Sequence, residues 1–276
     1  MGTPEPRPIN FAHMGVHLTL LGTGTSQGVP VIACDCGVCT SADPRDNRLR
    51  SSALFHVDGD DAPEGPRNFV VDTGPDFRQQ MLRERVGAVD AVLFTHEHKD
   101  HVAGLDDIRA FNFRSKRDMD VYATPSVQAA LRREFHYVFS DNPYPGVPQV
   151  RLHDLDAETK SIGGVEVHPL PVMHYKLPVL GFRIGPIAYI TDANAFSTVT
   201  WDRLQGVEVL VLNALRKEPH ISHFNLEEAL EVIERVGPKQ AYLTHISHLL
   251  GQHEEVDAAL PTGVSLGWDG LRISCP

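Results

Sequence analysis

The segment Thr95-His96-Glu97-His98-Lys99-Asp100-His101 decides how the rest of the chain is read. It sets four candidate metal ligands, His96, His98, Asp100 and His101, directly behind the apolar run 91–94 (AVLF). Imidazole nitrogen and carboxylate oxygen suit zinc, manganese or iron. In a loop that leaves a strand, alternating His96 and His98 can address one ion, and Asp100 and His101 can turn towards a second. A single histidine would be read as a partner for a nearby acid on a solvated loop. This ordered cluster reads as a metal site.

Working outward, short apolar, β-rich runs recur between turn signals at 16–21, 53–57, 69–71, 91–94 and 121–123. They continue at 165–168, 180–184, 187–191, 209–212 and 241–243. Helical spacing covers 126–139 after Pro125. Asn225 is a good N-cap, with Glu228 placed as in a capping box. Leu226, Ala229, Leu230, Ile233 and Val236 then form an apolar stripe, which Gly237 and Pro238 terminate. With no repeat and no linker in evidence, residues 15–276 are expected to form one layered α/β domain behind a flexible tail, 1–14. His96, Asp192 and His245 each follow closely on a predicted strand, where sheet edges usually carry sites.

The net charge of -11 argues against a broad, stable nucleic-acid surface. It leaves room for a small phosphorylated substrate, because bound cations dominate the local field of a metal site. No apolar stretch is long enough to span a bilayer, and residues 1–14 lack the apolar core of a signal peptide. A cytoplasmic location with reduced thiols is therefore expected. Cys34-Asp35-Cys36-Gly37-Val38-Cys39 then reads as three thiolates of a structural zinc, which needs four ligands. His248, in Thr244-His245-Ile246-Ser247-His248, is the best fourth ligand, with Cys275 as its rival. Asp72 is either a strand-end turn residue or the acceptor that orients a ligand histidine.

The order H-x-H-x-D-H after a strand resembles the signature of the metallo-β-lactamase superfamily. His174 in Pro171-Val172-Met173-His174, Asp192 in Tyr189-Ile190-Thr191-Asp192, and His245 in Leu243-Thr244-His245 extend the match over nearly the whole chain. The resemblance implies an αββα sandwich, two mixed sheets flanked by helices, with the site at one edge. It implies that His96, His98 and His174 hold one divalent cation. Asp100, His101 and His245 would hold another, with Asp192 bridging and manganese or zinc as the metal. Such a pair activates a water and neutralises phosphoryl charge.

C-x-C-x-x-C early, H-x-H-x-D-H in the middle, Thr-His-Ile-Ser-His late and the opening Leu21-Gly22-Thr23-Gly24-Thr25-Ser26-Gln27-Gly28-Val29-Pro30 narrow the resemblance. Together they are similar to the phosphoribosyl cyclic phosphate phosphodiesterases of the carbon–phosphorus lyase pathway. That family implies hydrolysis of a small, cyclic phosphodiester, such as a ribosyl or nucleotide cyclic phosphate, and a homodimer. It also implies catalytic roles for Asp100 and for His223 as general acid, with His220 as the competing residue. Arg78, Arg109 and Arg114 are candidate phosphate contacts, but an ordinary helix-surface role is the better reading of each. Two other readings remain at this stage: a tRNA-processing endonuclease of the superfamily, and a non-catalytic binding protein of the quinone-cofactor-biosynthesis type.

Overall fold

The computed structural model describes residues 15–58 and 65–275, so the tail expected over residues 1–14 lies outside the described residues. In chain order the strands are β1 (Val16–Gly22), β2 (Ser52–Val57), β3 (Arg67–Val71), β4 (Ala91–Leu93), β5 (Met119–Ala123), β6 (Val150–Asp154), β7 (Lys160–Ile162) and β8 (Val165–His174). They continue with β9 (Leu177–Ile184), β10 (Ile187–Ile190), β11 (Ala195–Phe196), β12 (Val209–Asn213), β13 (Gln240–Thr244), β14 (Val264–Leu266) and β15 (Arg272–Cys275). The helices are α1 (Phe77–Glu84), α2 (Lys99–Val102), α3 (Arg109–Ser115), α4 (Pro125–Glu134), α5 (Thr198–Arg203), α6 (Leu226–Val236) and α7 (His253–Ala258).

The strands assemble into two mixed sheets. One runs β15-β1-β2-β3-β4-β5-β6, and the other runs β11-β8-β9-β10-β12-β13-β14, with β7 beside β8. The pleat explains why the sequence produces two layers rather than one. In β3, Phe69 and Val71 enter the core between the sheets, while Val70 points to the outer face under α1 and α3. In β12, Val209 and Val211 face inward, and Leu210 and Leu212 pack outward with Ala229, Val232 and Ile233 of α6. Both faces of these strands are buried, so they read as unbroken apolar runs, as parallel strands between helix layers do. The expected αββα sandwich is the observed architecture.

Parallel pairing of β3, β4, β5 and β6, and of β10, β12, β13 and β14, requires a crossover between successive strands. Helices supply most of these crossovers. The carboxyl ends of β3, β4, β10 and β13 consequently lead into Asp72, His96, Asp192 and His245. The capping box forms as expected. The Glu228 amide donates to Asn225 Oδ1 at 2.8 Å, and the Asn225 amide donates to Glu228 Oε2 at 2.9 Å.

Helix α4 stops at Glu134 rather than running to residue 139. Phe135 and Val138 instead turn back into the outer core of the first sheet, which a continuing helix would carry them past. Among the described residues, no helix is long and apolar enough to cross a membrane.

Candidate metal centre

Five histidines and two aspartates from across the chain meet at this edge. His96, His98 and His174 each offer a ligand atom within 4.8 Å of the others, as do Asp100, Asp192 and His245. His96, His101 and Asp192 form a further such group, and so do His174, Asp192 and His223. Asp192 is common to three of these sets, as a carboxylate lying between two ions would be. His101 Nε2 lies 3.1 Å from Asp100 Oδ2 and 3.5 Å from Asp192 Oδ1. His245 Nδ1 lies 3.1 Å from Asp192 Oδ1.

Neighbouring groups fix which ring nitrogen each histidine presents. Asp72 accepts the Thr95 amide at 2.8 Å, the Thr95 hydroxyl at 2.7 Å and His101 Nδ1–H at 2.7 Å. Because the Thr95 hydroxyl hydrogen goes to Asp72, the Thr95 oxygen accepts His96 Nδ1–H at 2.9 Å. His174 Nδ1–H donates to the Ser222 carbonyl at 2.9 Å. Each of these three rings thus keeps an Nε2 lone pair for a ligand. His101 Nε2 is buried without a hydrogen-bond partner. Such an orphan is costly unless something completes it, and a cation would.

The charges point the same way. Burial alone would suppress a proton on His101, yet Asp192, then Asp100 and Asp72, raise its pKa well above the usual histidine range. Burial would raise Asp192, but His245 and His101 hold it well below the usual carboxylate range. Burial, with His101 second, pushes His96 well down. These groups fit a pair of divalent cations: carboxylates held ionised, buried imidazoles, and on His101 a ring nitrogen where a cation would take the place of the proton that the carboxylates favour.

The early cysteines form a second cluster. His248 Nδ1 lies 3.3, 3.4 and 3.5 Å from the Sγ atoms of Cys34, Cys36 and Cys39. A tetrahedral zinc with bonds of about 2.3 Å to sulfur and about 2.0 Å to nitrogen has S···N edges of roughly 3.5 Å. The near equality of the three distances fits that ion. Hydrogen bonding from the Cys39 amide, then from His248, pulls the Cys36 thiol down to about 6. Cys275 sits in the core between the sheets, opposite Val16, and takes no part in this cluster.

His223 adjoins the cage, with ring centroids 4.5 Å from His174 and 4.7 Å from His245. Its Nδ1 is buried without a hydrogen-bond partner. Burial, then the His245 charge, pushes its pKa down to about 2. His220 stacks on His223 at 5.2 Å, and its Nδ1 lies 3.3 Å from the Ser222 hydroxyl. Arg109 pairs with Asp106 at 3.2 Å, while Arg78 and Arg114 line a cavity of about 410 Å³ between α1 and α3. None of the five histidines and two aspartates of the cage lines that cavity.

Sequence reading missed the hydroxyls around His245. Ser51 Oγ lies 3.1 Å and Thr191 Oγ1 3.3 Å from Nδ1, and Thr25 Oγ1 lies 3.4 Å from Nε2. Thr25 lies in the opening Gly-Thr-Gly-Thr stretch and Thr191 precedes Asp192, so their positions held a signal; Ser51 held none.

Residues 67–246 match the family model described as a beta-lactamase superfamily domain. A crystal structure described as a new diphosphatase from the PhnP family has a TM-score of 0.86 and 38% identity, covering 95% of this chain and 98% of that one. A protein of Porphyromonas gingivalis named octanoyltransferase is 39% identical over 255 residues, 92% of this chain. This chain covers 50% of that longer protein, to which the name belongs. A ribonuclease Z of Mycobacterium sp. (strain KMS) is 26% identical over 94% of this chain and 95% of its own. Sandwich, ligand edge and relatives agree: the chain belongs to the metallo-β-lactamase superfamily, as a hydrolase of that fold similar to its PhnP-like members.

Proposed function

We propose that this chain is a phosphoric diester hydrolase acting on a small molecule, cyclic phosphates such as ribosyl or nucleotide cyclic phosphates first. The observation that carries the reading is His223, a buried imidazole with an unsatisfied nitrogen, set against a cage of carboxylates and histidines. His96, His98 and His174 would hold one divalent cation, and Asp100, His101 and His245 a second, with Asp192 shared. Bound there, the pair supplies a water of lowered pKa and neutralises phosphoryl charge.

The chain's own residues supply the rest. Asp72 and Thr95 set the tautomers of His101 and His96. Ser222, directly before His223, anchors His174 through its carbonyl. In the free protein His223 is neutral, because burial disfavours its charge. An arriving phosphate anion works against that shift. The ring, protonated from solvent as that anion binds, then passes the proton to the leaving oxygen as the ester bond breaks and returns to neutral imidazole. Cys34, Cys36, Cys39 and His248 would hold a structural zinc, which secures the segment that carries His245.

A diphosphate linkage is the second reading, favoured by the likeness to the PhnP-family diphosphatase. Both reactions break one P–O bond at a phosphorus that carries two substituted oxygens. The test is metal analysis joined to a substrate panel: a ribosyl cyclic phosphate, 2′,3′-cyclic nucleotides, a dinucleotide diphosphate, pre-tRNA and a thioester. Turnover of a cyclic phosphate or other small diester is expected. Turnover of the thioester alone would overturn the proposal, and cleavage of pre-tRNA alone would move it to the endonuclease reading. A protein that binds metal only at the cysteines and hydrolyses nothing would be a binding protein.

A further inference from the structure

We propose that Tyr175 is a specificity-determining residue whose ring stacks on the base of a nucleotide-type substrate, with Ile221 completing the rim. The inference rests on the phosphoester-hydrolase reading and names the group that the reacting phosphate carries.

Tyr175 follows His174 directly, and it opens the two-residue turn Tyr175-Lys176 that joins β8 to β9, with His174 paired to Leu177. Its φ is +58°, in the left-handed region. In a two-residue hairpin that position falls to glycine, asparagine or aspartate, because a large L side chain there strains the backbone. A turn needed only for connection would select one of those residues. A bulky aromatic held in that conformation beside a site is the kind of strain that accompanies function.

The surroundings hold the strained residue in place. The Tyr175 amide donates to Asn194 Oδ1 at 3.0 Å, and Asn194 Nδ2 donates to the Ile221 carbonyl at 3.0 Å. One side chain thus ties the β8–β9 turn to the loop that carries His220 and His223. Both tied residues are apolar and exposed: Tyr175 is 49% and Ile221 65% accessible. The Lys176 ammonium lies over the tyrosine ring, 5.2 Å from its centroid. Tyr175 and Ile221 thus stand on two segments tied to each other, one directly after the cage residue His174 and the other two residues before His223, and we place the rim between them. An aromatic base carried on a phosphate suits that rim, since stacking accepts any base and the nearby cation favours an anionic ligand.

The experiment compares 2′,3′-cyclic AMP with base-free ribose cyclic phosphate as substrates of the metal-loaded protein. It also measures AMP binding by calorimetry. Tyr175→Ala and Tyr175→Gly should lower the preference for the base-bearing ester, and weaken AMP binding, by about tenfold. Tyr175→Phe should retain both. Tyr175→Gly should melt no lower than the parent, because glycine relieves the backbone. That separates loss of stacking from loss of fold. An unchanged preference with unchanged AMP affinity, or a parent that does not bind AMP, overturns the proposal. Tyr175-dependent AMP binding without hydrolysis of any ester would sink the hydrolase reading and leave the rim standing.

Discussion

Asp72 and His101 are both fully buried, and His101 donates its Nδ1–H to Asp72 Oδ2 at 2.7 Å. The same carboxylate takes the amide and hydroxyl of Thr95, whose oxygen in turn accepts from His96. One acid at the end of β3 thereby sets the rings that lead into both proposed cation positions. Burial raises the Asp72 pKa, and His101 and Thr95 work against that rise.

Replacing Asp72 with asparagine should therefore act through the metals. The amide can donate where the carboxylate only accepts, so His101 loses its fixed tautomer. Metal affinity and turnover should fall together by about 10–100-fold. Metal content by mass spectrometry and steady-state rates check this; full metal content with full activity would show that Asp72 is only a turn residue.

His223→Ala separates proton donation from ligation, since His223 also lies within ligand reach of His174 and Asp192. A general acid matters most when the leaving group is poor. Turnover of an alkyl or ribosyl ester should drop by about 10²–10⁴-fold, and that of a p-nitrophenyl ester far less. Both catalytic metals should remain. Loss of a metal on this substitution would make His223 a ligand instead.

Cys39→Ser should remove one equivalent of zinc and lower the melting temperature, with the two catalytic metals retained at saturating metal. His248→Ala should behave alike. Equal metal content in parent and variant would leave Cys34, Cys36 and Cys39 as plain thiols.

The pH dependence of stability should carry a mark from His253. This ring is buried, and its Nδ1 accepts from the equally buried Arg48 at 3.1 Å. Burial, then the Arg48 charge, lowers its pKa below the usual value of about 6.5. The unfolded chain then takes up the proton first as pH falls. Stability that is intact above about pH 6.5 drains away below it, until the folded value is reached. His253→Asn keeps an acceptor and cannot titrate, so its melting temperature should fall less steeply between about pH 7 and about pH 5. Parallel melting curves for parent and variant would place the acid sensitivity elsewhere.

The sequence made the site more legible than the periphery, for physical reasons. Strands buried on both faces, such as Val209–Asn213, stand out as apolar runs. Strands β6, β7, β11, β14 and β15 are short or half exposed, as Val150–Asp154 shows with no buried position, and carry no such run. Helix α6 announced itself by its cap and stripe. Helices α1, α5 and α7 lack a side-chain cap, a long stripe or both. The histidine cluster was readable because its candidate ligands are close in sequence. His174, Asp192 and His245 were readable only through their order within a resemblance. Arg48, buried, and Asp269, half-buried, brace the opening loop but look like ordinary surface charges in the sequence.

Asp72, Asp192 and His245 share one backbone property: φ values of +62°, +56° and +54°, each just past the end of a strand. Three side chains crowded with like and unlike charge therefore also occupy a conformation that L-residues adopt at a cost. Thermal robustness and chemistry pull in opposite directions along this edge. Glycine at any of the three would suit the main chain better and, on the roles proposed for them, cost turnover. Screening variants for heat resistance alone would drift towards such inert forms, so any stabilised version of this protein has to be selected on turnover as well.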